Sequence, residues 1–177
     1  MELDEALNIR RSCRSFTGEP ITEEQLHRIL KAAWAAPVGG GRYNTVHMTI
    51  VRSPEALRKI NDNFHAFAPD TDPAYDVLYG APLLVICSIK DPGNEKVTAA
   101  DPGFILENMS LAAAQEGVGQ CVIYGGTVAL DANEDLKREL GIPEGYTALG
   151  SMVLGQTDQA YAPREVPEDR FFSNVVE

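Results

Sequence analysis

Apolar positions recur along the chain with two different periods, and the switches between them mark out the elements. Residues 3–10 fit a short helix that groups Leu3, Ala6 and Leu7 on one face. A second helix has a defined start: Thr22 and Gln25 have the spacing of a capping box, and Ile21 can staple against Leu26. Its stripe is Leu26, Ile29, Leu30, Ala33 and Trp34. Pro37 stops it, because proline lacks the amide hydrogen that another turn needs. After Gly39-Gly40-Gly41 the period falls to two, and Val46, Met48 and Ile50 alternate as in a half-buried strand. Ser53-Pro54 opens another helix, proline being tolerated at the first helical position.

Residues 64–76, with Pro69 and Pro73, read as an irregular connection. Leu83 to Ile89 is a continuous apolar run after Pro82, the pattern of a fully buried strand. Asp101-Pro102 introduces a long helix, Phe104 to Glu116, apolar on most sides and expected to be buried nearly all round. Gly117 is its natural stop. A short strand over 120–124 ends at Gly125-Gly126, a helix begins with Asp131 and Glu134 and ends at Gly141 and Pro143, and a last strand spans 147–155. Helices thus separate about four strands, which predicts one three-layer domain of the α+β or α/β class. The segment from Gln156 to Glu177 is polar and aperiodic, yet it carries Phe171, Phe172, Val175 and Val176. It is either a disordered tail or an arm that embraces a partner subunit.

Composition narrows the function. The 177 residues suffice for a sizeable core, and 44% hydrophobic with 23% charged residues is ordinary for a globular protein. No run of 18 apolar residues suggests a membrane span. The opening Met1-Glu2-Leu3-Asp4-Glu5 carries acid where a secretory signal is basic and then apolar, so the expected location is the cytoplasm. A net charge of −11 argues against nucleic acid and against anionic membrane surfaces as partners. Cys13, Cys87 and Cys121 are widely spaced and read as reduced core residues; His27, His47 and His65 lack metal-ligand spacing.

Against that acidic background, Arg10-Arg11-Ser12-Cys13-Arg14 places three of the fifteen basic residues within five positions. Complementing a helix dipole explains one or two such cations. Three arginines and a serine hydroxyl also suit a phosphate, whose oxygens match guanidinium forks. Gly39-Gly40-Gly41 can offer backbone N–H groups to an anion or serve as a flexible turn; it lacks the strand-then-helix setting of a dinucleotide fingerprint. Gly125-Gly126 lies at a strand end, where ligands collect in layered folds and tight turns also occur. No nucleophile elbow, HExxH or Ser-His-Asp set is present, so if the protein is an enzyme its chemistry belongs to a cofactor.

In order, these segments resemble the FMN-dependent nitroreductase family over nearly the whole chain. Its Arg-Arg-Ser-x-Arg-x-Phe opening is matched by Arg10, Arg11, Ser12, Arg14 and Phe16. Pro20, Ile21 and Leu26 follow, then Ala32, Ala33, Ala36 and Pro37, and Ala81-Pro82 before the buried strand. Glu107-Asn108 through Ala114 with Glu116-Gly117-Val118-Gly119, then Leu140-Gly141-Ile142-Pro143, Leu154-Gly155 and Pro163-Arg164, complete the match. The resemblance implies an α/β/α layered α+β fold with a mainly antiparallel sheet of about four to five strands. It also implies a homodimer with FMN in clefts at the subunit interface and a C-terminal arm reaching the partner. Arg10, Ser12 and Arg14, with Arg11 and Arg164, would hold the phosphate, ribityl chain or pyrimidine edge, while Tyr124, Gly125 and Gly126 would lie by the ring. Hydride would pass from NADH or NADPH to FMN and on to a small electron-poor acceptor such as a nitroaromatic or quinone.

Two departures bear on the acceptor. The family's serine and asparagine after Ala-Pro are Val38 and Gly41 here, leaving the backbone of Gly39, Gly40 and Gly41, with Arg42 or Asn44, to stand in. The connection at 64–76 also lacks the long excursion that builds a lid in larger members. The altered loop motivates an alternative, a flavin-binding protein that stores or senses the cofactor.

Overall fold

The computed structural model describes residues 1–90, 98–159, 161–167 and 170–176, so Ala160, Glu168, Asp169 and Glu177 of the C-terminal segment lie outside the described residues. Helices α1 (Leu3–Ile9) and α2 (Glu23–Trp34) precede strand β1 (Val46–Val51). Next come α3 (Pro54–Phe67), β2 (Leu83–Lys90) and the long α4 (Ala100–Gln115). The order closes with β3 (Gly119–Ile123), α5 (Gly125–Asp131), α6 (Glu134–Glu139) and β4 (Tyr146–Gly155). The strands form one sheet in the order β1-β2-β4-β3, every neighbouring pair antiparallel. Val46 lies opposite Ile89, Leu83 opposite Leu154, and Ile123 opposite Ser151.

The two central strands explain the layers. In β2 the even positions Leu84 and Ile86 pack with Leu57, Ile60 and Phe64 of α3 and Leu130 of α5. The odd positions Leu83, Val85, Cys87 and Ile89 pack with Ile29 of α2 and Ile105 and Met109 of α4. Covered on both faces, β2 is apolar from Leu83 to Cys87 and again at Ile89, with the buried Ser88 between them, even though its neighbours are antiparallel. The sheet is therefore the middle of an α/β/α sandwich. Helix α4 crosses β4 so closely that a Cβ on Gly150 would stand 2.7 Å from Leu106 Cδ1.

Local signals act as the sequence predicts at several boundaries. Thr22 Oγ1 accepts from Gln25 N at 3.1 Å and Gln25 Oε1 from Thr22 N at 3.0 Å, closing the capping box. Ser53 Oγ accepts from Ala56 N at 3.4 Å, and Gly117 ends α4 in the left-handed region at φ +67. The three cysteines are free and buried. No helix among the described residues is long and apolar enough to cross a membrane.

Other expectations are corrected. In α1 the buried residues are Ala6 and Ile9, while Leu3 and Leu7 face outward, because the helix rests on α4 along the Ala6–Ile9 edge. Trp34 of the α2 stripe is also exposed. Helix α4 is not buried all round: Ile105, Leu106 and Met109 meet the sheet, but Phe104 on the opposite side is about half exposed. The supposed connection at 64–76 is helical up to Phe67. Gly125 and Gly126 do not form a turn; they are the first residues of α5. The helix expected from Asp131 starts at Glu134, capped by Asn133 Oδ1, which accepts from Leu136 N at 3.0 Å. Asp131 instead ends α5, accepts from Ala148 N at 2.7 Å and pairs with the buried Lys137 at 3.1 Å.

Candidate functional site

After α1 the arginine segment runs extended along the free edge of β3. Cys13 N donates to Gln120 O at 2.7 Å, and the buried Gln120 side chain donates to Arg11 O at 2.8 Å while accepting from Ser110 Oγ at 3.1 Å. Gln120, which no sequence motif singles out, therefore sets the register of the whole segment. The C-terminal segment returns along its other side. Thr17 N donates to Gln156 O at 3.0 Å, Thr157 Oγ1 to Ser15 O at 2.8 Å and Arg14 N to Gln159 Oε1 at 2.8 Å. Arg11 Nη2 donates to Ala162 O at 2.6 Å, and Arg164 N to Asn8 O at 3.3 Å. Tyr161 seals this ladder by donating to Val118 O at 2.7 Å; burial, the first of its causes, pushes its phenol well above the ordinary range. Gln156, Thr157, Gln159, Tyr161, Ala162 and Arg164 thus dock on their own chain, and Phe171, Phe172, Val175 and Val176 beyond them stand exposed.

This arrangement gathers Arg10, Arg11, Ser12, Arg14 and Arg164 around one stretch of backbone. Arg10 Nε pairs with Glu107 at 3.3 Å, and Asn108 beside it donates to Ala32 O at 3.1 Å, which gives both residues of the Glu107-Asn108 motif structural partners. Arg11 Nε and Arg164 Nε are shielded from solvent and have no hydrogen-bond partner among the described residues. Two desolvated guanidinium N–H groups on one ladder are an unmet demand for an acceptor. Arg14 extends the positive field the other way, toward Cys121 and Tyr75. Burial raises the Cys121 thiol above its usual value, opposed by Arg14 and by a hydrogen bond with Ser12.

The end of β3 supplies the neighbouring group. Tyr124 is largely exposed and Gly125 opens α5. A Cβ on Gly125 would meet only Phe64 Cε2, at 3.4 Å. One on Gly126 would lie 3.0 Å from Ile123 Cγ2 and 3.2 Å from Val77 Cγ2, so Gly126 is small because the core requires it. Beside Gly125 lies Phe64, whose ring is 5.9 Å from that of Tyr75, and Tyr75 meets Tyr79 edge to face at 6.0 Å. Phe64 and Tyr75 fall within residues 64–76, expected from the sequence to be an irregular connection.

The Gly39–Asn44 loop stands apart. Gly39 N donates to Asp101 Oδ1 at 2.9 Å, Gly40 and Gly41 take positive φ, and Arg42 Nε returns to Gly39 O at 3.2 Å. Arg42 and Asn44 are exposed. No hydrogen bond or ion pair among the described residues joins this loop to the arginines or to Gly125. Beside it opens an apolar cavity of about 370 Å³ lined by Ala33, Trp34, Val38, Tyr43, Val46, Met48 and Ile105. Among the described residues there is no cluster of three or more His, Cys, Asp or Glu able to hold a metal.

The antiparallel α/β/α sandwich thus carries a cationic ladder at its sheet edge and an open glycine at the adjoining strand end. The sequence profile of the Nitroreductase family matches residues 7–156, and the chain belongs to that family. It is 30% identical over 152 residues to an Archaeoglobus fulgidus protein assigned as an NADH dehydrogenase/NAD(P)H nitroreductase, covering 82% of this chain and 80% of that one. Among solved structures it is similar to a nitroreductase with bound FMN from Desulfitobacterium hafniense, at TM-score 0.85 and 25% identity over 99% of both chains. A nitroreductase with bound FMN from Bacteroides fragilis gives TM-score 0.84 and 27% identity, again over 99% of both chains.

Proposed function

We propose that this chain is an FMN-dependent NAD(P)H oxidoreductase that reduces a small electron-poor acceptor, a nitroaromatic or a quinone, by a ping-pong mechanism in a homodimer. The observation that carries the reading is the pair of shielded, unpartnered guanidinium nitrogens, Arg11 Nε and Arg164 Nε, on a ladder that also holds Arg10, Ser12 and Arg14. In a chain of net charge −11 this concentration of cations fits a phosphate-bearing ligand. The residues present therefore fit FMN: the ladder suits its phosphate and ribityl chain, and the open backbone of Tyr124, Gly125 and Gly126 suits one edge of its ring. When bound, FMN supplies the hydride chemistry, accepting from NADH or NADPH and giving to the acceptor in the same site. The protein's part is to hold the anion and to leave room for a planar ring at Gly125.

The dimer rests on exposed apolar surface. Leu3 and Leu7 of α1, Trp34 of α2 and Phe104 of α4 form an uncovered outer layer, and Phe171, Phe172, Val175 and Val176 project from the chain end. Such an area on an isolated chain marks an interaction surface. The Gly39–Asn44 loop, unconnected to its own chain's arginines, is placed to complete the site of a second copy. The test is anaerobic: flavin-loaded protein is mixed with NADH, then NADPH, and absorbance near 450 nm is followed. Bleaching with either nicotinamide and recovery on adding a quinone is the expected result. Bound flavin that neither donor bleaches would favour storage or sensing.

A further inference from the structure

Beside Gly125 stands a group of aromatic side chains, Phe64, Tyr75 and Tyr79, that belongs to no motif of the sequence. Phe64 Cε2 is 3.4 Å from the Cβ position of Gly125, and the Phe64 ring lies 5.9 Å from that of Tyr75, centroid to centroid. The Tyr75 and Tyr79 hydroxyls are 3.0 Å apart, their rings edge to face at 6.0 Å. On the other side, the positive charge of Arg14 reaches Tyr75. Tyr75 thus packs against Phe64, which borders Gly125, and lies within the electrostatic reach of Arg14.

The backbone that presents them is tightly held. Asn61 Oδ1 accepts from Val77 N at 3.0 Å, and the Asp76 carboxylate accepts from Leu78 N at 2.8 Å and from Gly80 N at 2.6 Å. His65 Nε2 bonds Tyr75 O at 2.8 Å. Tyr79 takes φ +57, a left-handed conformation that a bulky residue rarely adopts and that persists only when its surroundings impose it. What this order secures is the meeting of two phenols. The hydrogen bond to Tyr79, then burial, pushes the Tyr75 phenol up to about 12, so Tyr75 keeps its proton at neutral pH. Two O–H groups are then present, one spent between the phenols and one available to a ligand. Tyr75 is 38% exposed, open enough to use it. A neutral donor beside a fixed cation suits an oxygen that carries partial negative charge on a planar ring.

We propose that the Tyr75–Tyr79 hydroxyl pair is a positioning element that, with Arg14, holds the carbonyl-bearing edge of the flavin ring through the phenolic hydrogen the pair does not use internally. This rests on the FMN reading above and adds two residues to it. A donor at that edge stabilises the electron-rich reduced ring more than the oxidised one, so the pair also bears on the potential.

The test is the double variant Tyr75→Phe/Tyr79→Phe, which keeps both rings and removes both hydroxyls. Apoprotein is titrated with FMN by fluorescence, the midpoint potential of the bound flavin is measured by spectroelectrochemistry, and apo melting is recorded. Expected are FMN binding weakened about three- to tenfold, the worth of one net hydrogen bond, a potential shifted to a more negative value, and an unchanged apo melting temperature. Wild-type FMN affinity and potential in the double variant would overturn the proposal while leaving the FMN reading intact. Wild-type apoprotein that takes up no FMN would overturn both. Should the double variant lose its near-ultraviolet circular dichroism, the single variants decide: at least one must weaken FMN binding and shift the potential, and neither doing so refutes the role.

Discussion

Gly125 and Gly126 are neighbours in sequence and differ sharply in what a side chain would meet, so together they make a controlled test of the site. A methyl on Gly126 would be 3.0 Å from Ile123 Cγ2 and 3.2 Å from Val77 Cγ2, closer than the ~3.5–4.0 Å of comfortable carbon contact. Both neighbours belong to the packed core and cannot simply move aside. Gly126→Ala therefore overpacks at a cost of ~1–3 kcal/mol, set against the ~1 kcal/mol that alanine gains over glycine inside a helix. A net loss of about 1 kcal/mol lowers Tm by ~2–4 °C in a chain of this size. The same methyl on Gly125 meets one aromatic carbon at 3.4 Å, an ordinary contact, and the restricted unfolded chain gains ~0.4–1 kcal/mol. If a flavin ring lies against this backbone, however, the methyl occupies its place.

Gly125→Ala is thus expected to melt at or above the wild-type temperature as apoprotein and to bind FMN at least ~10-fold more weakly, a difference of ~1.4 kcal/mol. Gly126→Ala should melt lower and lose no more FMN affinity than its fold costs. Differential scanning fluorimetry of the apo forms followed by FMN titration separates the two. If Gly125→Ala melts lower while its FMN affinity stays at the wild-type value, Gly125 is a folding residue and the ring does not lie there.

Asp101→Ala takes the acceptor from Gly39 N and should cost ~1–3 kcal/mol, read as a lower urea midpoint, with faster amide exchange at Gly39; unchanged exchange would show that the loop does not depend on Asp101. Burial, helped by the negative charge of Asp101, pushes the Cys87 thiol up to about 12, well above the ~8.5 of an unfolded thiol. The folded form therefore holds its proton longer, its stabilisation is complete below the unfolded value, and stability should fall as pH rises from there toward 12; a Cys87→Ala variant with the same slope of urea midpoint against pH would refute this. Truncation after Pro167 should weaken dimerisation in sedimentation yet spare apo melting, because Gln156 to Arg164 stay docked on their own chain, whereas truncation after Gly155 should lower both. A chain cut after Pro167 that dimerises like the full one would exclude the apolar end from the interface.

What was legible in the sequence follows from the range of the interactions. The Thr22–Gln25 box and the Gly117 stop are set by residues within a few positions, so their signals survive in one dimension. Strand β1 was legible as an element, but the expected inward set Val46, Met48 and Ile50 fails at its end, where Ile50 is exposed and Val51 is buried. The continuous run of β2 revealed burial on both faces but not the antiparallel direction of its neighbours. Gly125-Gly126 misled because paired glycines favour turns, whereas here the core under β3 demands a small residue inside a helix. The arginines were visible as a charge anomaly. Their partners were not: Arg14 meets Gln159 and Arg11 meets Ala162 across 145 and 151 positions, distances at which no periodicity forms. Tyr75 and Tyr79 were missed because what matters about them is their contact with each other and that of Tyr75 with Phe64, and not any spacing.

On the proposed FMN reading, the ladder would bring the two ends of the chain into one site. Arg11 and Arg164 can face a common anion only while the return segment lies along residues 8–17, and that alignment is kept by a handful of backbone bonds and by Tyr161 on Val118 O. Without the anion, the same geometry leaves two guanidinium nitrogens shielded and unpaired, a cost that weakens the docking. A phosphate between them removes that cost and ties the return segment down, so ligand binding and order of the chain end are coupled free energies. The apolar end beyond Pro167 is carried by this segment, and whatever fixes the segment also fixes where Phe171 and Phe172 are offered. On the proposed reading, FMN binding and subunit association would then reinforce each other through this short stretch of backbone.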